Sequence, residues 1–147
     1  MSVGPFDTDQ VVTRLRDQVT GLRAVGGAAD FAAAAERPGA LPAAFVLLAR
    51  EDAKPKAGGS AIGIQAIDVK FGVVLALQHY RSSERGVAQA NALRLLIAEV
   101  RTVLLGWEPA TDGPAERIGL VSGQILRYDQ ATVWWQETFS TRYWSRT

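Results

Sequence analysis

The chain contains no cysteine, which excludes disulfides, thiolate metal sites and a cysteine nucleophile, and suits a protein assembled in a reducing cytoplasm. Histidine occurs once, at His79. A metal site or catalytic triad built on it would need partners such as paired carboxylates at a helical spacing, and the sequence shows none. Net charge is nearly missing too: 16 basic side chains stand against 15 acidic ones in 147 residues. Both halves of the chain are balanced, so there is no electrostatic footprint for nucleic acid or an anionic membrane. Near-neutral charge permits self-association. The longest helical apolar segment is interrupted by Arg94, Glu99 and Arg101, so nothing reaches the roughly 20 residues that a membrane span requires. Asp7 and Asp9 stand where a signal peptide would carry base, and no secretion signal is expected.

Phosphate and nucleophile motifs are equally scarce. The glycine-rich stretch from Lys56 to Gly63 lacks a Gly-Lys-Ser/Thr ending and precedes a strand pattern instead of a helix. Ser122 is not flanked by the glycines of a nucleophile elbow. No catalytic, cofactor-binding or metal-ligating residue is assigned, and the chain reads as a non-enzyme that needs no cofactor.

What is present is one long amphipathic stretch, Glu84 to Leu105, around which the rest must pack. Leu93, Leu96, Ile97, Val100, Val103 and Leu104 recur at three-and-four spacing, which places them on one helical face. Roughly 20 residues at about 1.5 Å each make a rod of some 30 Å, long enough to cover a small sheet. Ser82 or Ser83 can cap its start and Gly106 its end.

Taken in order, Asp7 to Leu22 predicts a first helix, with Asp7 and Gln10 as a capping box and Phe6 with Val11 as a hydrophobic staple. Ala28 to Ala35 predicts a short helix before Pro38 and Pro42. Ala43 to Ala49 is a compact apolar run that predicts a buried strand. Residues 51–60 mix charge with Pro and Gly and predict an exposed loop. Ala66 to Leu77 alternates with period two, its second half apolar on both faces at Val74 and Ala76, which predicts a strand covered on both sides. Ile118 to Tyr128 and Thr132 to Trp144 predict two strands joined by a tight turn. On the last of these, Val133, Trp135, Phe139 and Tyr143 form the expected core face, with Glu137 as its exception and Trp134 on the opposite face. The expected fold is a single α+β domain over residues 1–147, a mostly antiparallel sheet of about four strands with a long and a shorter helix on one face.

All four tryptophans lie from Trp107 onward. Trp134, Arg142 and Trp144 combine the residue types over-represented in interface hot spots. They are equally compatible with edge-strand packing, and without a wider basic groove they do not make a single-strand nucleic-acid site.

As a whole the sequence resembles the tail terminator proteins of bacteriophages, in particular the Mu-like family of small tail-completion proteins. The resemblance is carried by the opening Phe-Asp-Thr-Asp-Gln-Val-Val-Thr-Arg-Leu, by Leu-Pro-Ala-Ala-Phe-Val-Leu before a Lys/Gly-rich loop, and by a long strand before a long helix. The closing Val-Ser-Gly-Gln-Ile-Leu and Val-Trp-Trp-Gln-Glu-Thr-Phe-Ser-Thr are its most specific part. It implies a structural virion protein that forms a hexameric ring on the head-proximal end of the tail tube, with the tube protein and the head–tail connector protein as partners. It implies neither nucleic-acid recognition nor membrane contact. Within that reading Lys54 and Lys56 of the loop are expected to touch a ring face, and either the mutual sheet edges or the side bearing Trp134, Arg142 and Trp144 a neighbouring subunit. Another neck or head-completion protein, or a small ligand-binding α+β module, are the alternatives.

Overall fold

The computed structural model of the protein describes residues 4–55, 63–78, 83–129 and 131–146. Among the described residues three helices and five strands follow one another: α1 (Asp9–Gln18), β1 (Ala24–Gly26), α2 (Ala28–Glu36), β2 (Ala43–Ala53), β3 (Ile64–Gln78), α3 (Ser83–Leu104), β4 (Gly119–Asp129) and β5 (Thr132–Arg146). The strands form one sheet in the order β1-β2-β3-β5-β4. β1 runs parallel to β2, and every other pair is antiparallel.

The α+β class and the element order agree with the sequence pattern, but the sheet is mixed and has five strands instead of about four. The additional strand, β1, is three residues long, too short for any periodicity to show. Its parallel pairing with β2 requires a crossover connection lying over one face of the sheet. α2 is that crossover. The helices therefore do not all share a face.

On one face α1 contributes Val11, Val12 and Leu15, and α3 contributes Leu96, Val100 and Leu104, to a core completed by Val46, Phe71, Val73, Leu75, Val133 and Phe139. Phe71 stacks between Phe6 and Phe139, with 5.6 Å between centroids on each side. On the other face Phe31 and Ala34 of α2 pack on Ala43, Phe45, Val74, Ala76 and Trp134. This second cluster is why Val74 and Ala76 are apolar on the alternate face of β3, as the sequence pattern required.

Helix ends follow the expected chemistry in part. α1 begins at Asp9 after Thr8, which makes no side-chain cap. Asp7 accepts the amide of Asp9 at 2.9 Å. Gln10 does not close a capping box. It bonds the backbone of Ala110 in both directions, at 2.8 and 3.1 Å, tying α1 to the connection that follows α3. Gly106 adopts φ +81° directly after α3, the left-handed geometry that lets a helix stop without Cβ strain. Ser82 and His79 lie outside the described residues.

β2 runs four residues beyond the apolar run and takes in Glu51, Asp52 and Ala53, the first part of the expected loop. Lys54 then donates its amide to Ala66 at 2.8 Å. Lys56 and the rest of that loop lie outside the described residues. β1 covers only Ala43 to Phe45 of β2. From Val46 to Ala53 the outer edge of β2 carries no strand among the described residues.

Candidate assembly surfaces

β4 is the outermost strand on the other side of the sheet, and every residue from Leu120 to Tyr128 is exposed. Its apolar residues come in adjacent pairs, Leu120-Val121 and Ile125-Leu126, and each pair coincides with a register shift against β5. At each pair the bulge sets two residues of β4 against one of β5. Leu120, Ile125 and Tyr128 sit across from the core residues Phe139, Trp135 and Val133. Tyr128 remains 62% exposed.

Beneath β4 lies an ion pair whose carboxylate is out of water while its guanidinium side chain stays about a third exposed. Glu137 is fully buried and Arg101 of α3 grips it bidentately at 2.6 and 2.8 Å. Trp135 donates its indole N–H to the same carboxylate at 2.8 Å. Gly123 of β4 makes room: a Cβ there would collide with Glu137 Oε1 and the Trp135 ring. The apparent exception on the core face of β5 is thus a hydrogen-bonded buried charge.

A second cluster sits on the opposite face at the far end of β5. Asp68 and Arg142 are directly paired across β3 and β5, with Arg142 Nε 2.6 Å from one carboxylate oxygen and Lys54 Nζ 3.1 Å from the other. Glu116 approaches Arg142 at 3.8 Å. Hydrogen bonds from Arg142 and then Lys54 hold the Asp68 carboxyl below its ordinary value of 3.8. The sign follows: a carboxylate with a lowered native pKa stabilises the fold above the unfolded value, and the contribution is lost as pH falls through the native one. Asp68→Asn is expected to cost less than about 1 kcal/mol at neutral pH, because the group is about a third exposed. It should also flatten the fall of melting temperature in acid below that ordinary value. Thermal melts of both proteins across the acid range measure this, and an unchanged acid slope would exclude the pair as a contributor.

Nearby, Glu51 accepts the Phe6 amide at 2.9 Å and the Tyr143 hydroxyl at 3.1 Å. Burial, and then the Glu51 charge, push the Tyr143 phenol up to about 12. Gly4, at φ +95°, passes so close to the Tyr143 hydroxyl that a Cβ would overlap it. An open cleft of about 320 Å³ lies between this N-terminal segment and the connection after α3, lined by Pro5, Asp7, Thr111, Tyr143 and Trp144.

The structure separates the residues grouped by the sequence. Lys54 and Arg142 meet at Asp68, and Trp144, half-buried, is on the same strand two residues on. Trp134 lies ten residues back along β5, roughly 33 Å away. Its side chain is 1% exposed and packs edge-on to Phe31 at 5.9 Å, with Arg127 over its outer ring at 5.1 Å. It is occupied within the subunit, so any part it takes in assembly is indirect. β4 was not singled out from the sequence, although its doubled apolar residues were visible there.

Compared with known families, the sequence matches the phage tail terminator protein family over residues 1–147. The chain belongs to that family. A comparison with curated proteins finds no match. Among solved structures, a chain of the virion of a native gene transfer agent particle is similar at a TM-score of 0.52 and 17% identity, covering 93% of this chain and 92% of that one. At that identity the likeness is one of fold. The tail terminator family is a structural family of the phage tail and not an enzyme family, and membership gives this terminator a structural role in the tail of a virion or phage-like particle.

Proposed function

We propose that this tail terminator forms a ring, hexameric as the family resemblance implies, on the head-proximal end of the tail tube. There it stops tube polymerisation and offers the surface on which the head connector docks. The observation that carries the reading is the family match along the whole chain. The shared fold with a chain of a gene transfer agent virion supports it, as does a monomer surface with a long uncovered strand. A tube grows because each ring presents the next with a complementary head-to-tail surface, and growth ends when an unlike subunit takes the last place. The terminator matches the tube on one face and mismatches it on the other. The end of the sheet bearing Lys54, Arg142 and Trp144 is assigned to one of these ring faces.

Electron microscopy of particles assembled without this protein tests the reading. Over-long or irregular tails lacking heads are expected. Tails of ordinary length without heads would move the protein to the connector side, and intact particles would refute a role in the neck. Complementation with a Lys54→Glu, Lys56→Glu variant tests the face assignment, which normal incorporation would remove.

A further inference from the structure

We infer that the ring closes by strand addition: the β4 edge of one copy pairs with the open stretch of β2, residues 46–53, of the next. The inference rests on the ring proposed above and names its lateral contact. Three observations carry it.

The first is that the sheet ends in two unlike open edges on opposite sides. Among the described residues no strand lies beyond β4, which is 11 residues long, and none covers β2 beyond Phe45. A closed ring needs two different, complementary surfaces on each subunit, whereas β4 pairing with another β4 would create a twofold axis and stop at a dimer.

The second is area. Leu120, Val121, Ile125, Leu126 and Tyr128 are each at least 39% exposed. Together they leave roughly 400 Å² of mostly apolar surface in water, about half of the ~800 Å² per partner of a standard interface. Of the devices that protect a monomer's edge, Gly119 to Asp129 carries two bulges but neither lysine nor proline.

The third is charge. Leu120 to Leu126 has no ionisable residue, and Arg127 lies 3.6 Å from Asp129. On the β2 stretch Arg50 and Asp52 pair at 2.8 Å, and Glu51 is held by Phe6 and Tyr143. Leu48 is exposed beside them. Joining these two edges buries no charge without a partner, which a strand of a strongly charged protein or a nucleic acid would do. The occupant that fits is a second copy of this chain.

The test places a photo-crosslinking residue at Gln124 in a mixture of isotopically light and heavy protein, with peptides from assembled rings or particles mapped by mass spectrometry. Crosslinks from Gln124 to residues 46–53 of another copy are expected. A Val121→Asp, Leu126→Asp variant should keep its circular dichroism spectrum while losing rings at least tenfold. Rings that crosslink β4 to β4, or β4 to any other segment, or that persist in the folded double variant, would overturn the strand addition while leaving the ring intact. Particles with no ring of this protein would overturn both.

Discussion

Arg101→Ala should destabilise the protein by about 3–5 kcal/mol, a large share of the 5–15 kcal/mol that holds an ordinary domain together. The reason is asymmetry. Glu137 has no exposure, and its two oxygens receive Arg101 at 2.6 and 2.8 Å and Trp135 at 2.8 Å. Removing the guanidinium leaves a buried carboxylate with one neutral donor and no counter-charge. Removing both charges is different: Arg101→Met with Glu137→Leu should recover most of the loss, because a buried pair and an apolar pair of similar volume are nearly equivalent. Urea unfolding followed by tryptophan fluorescence measures all three proteins. A single-variant loss below about 1 kcal/mol would show the pair to be a solvated surface contact. The same pair ties α3 to β5 beneath β4, so the Arg101 variant should also loosen the strand to which ring closure is assigned.

Trp134→Ala is expected to cost a further large amount, about 3–5 kcal/mol, as large core truncations do. Trp134 is the largest fully buried side chain and the centre of the smaller core, stacked on Phe45 at 6.4 Å and edge-on to Phe31 at 5.9 Å. α2 contributes no fully buried residue of its own, and it stays on the sheet through Phe31 and Ala34. The loss should therefore be local: hydrogen exchange of residues 28–36 should rise well before that of α1 and α3. Trp134→Phe should cost much less, since it keeps an aromatic ring and removes an indole N–H that has no hydrogen-bond partner among the described residues. Uniform exchange across all three helices in the Ala variant would disprove a separate second core.

Local pattern was enough for α3, whose Leu96, Val100 and Leu104 are buried as the three-and-four spacing requires. It was enough for β3 as well, where Val69, Phe71, Val73 and Leu75 alternate along a strand that proves to be 15 residues long. It left Trp134 open between packing and a contact surface, because period two divides a strand into two faces without saying how much of the second one is covered. Residues 51–53 read as loop for a related reason: Arg50, Glu51 and Asp52 have no apolar periodicity, yet they pair with Lys70, Val69 and Asp68. There the partner strand supplies the structure that propensity does not.

The α+β class and the order of the main elements were legible in the sequence alone, since each depends on spacing within single segments, and the family was legible as a resemblance along the whole chain. Tertiary structure alone decided that three residues at 24–26 form a strand, that α2 crosses to the opposite face, and that β4 is an edge. It also brought Arg101 to Glu137 and Lys54 to Asp68 and Arg142. These depend on which segments lie side by side, and strand order is set by the collective packing of helices on both faces of the sheet, a choice that no single stretch of the chain encodes.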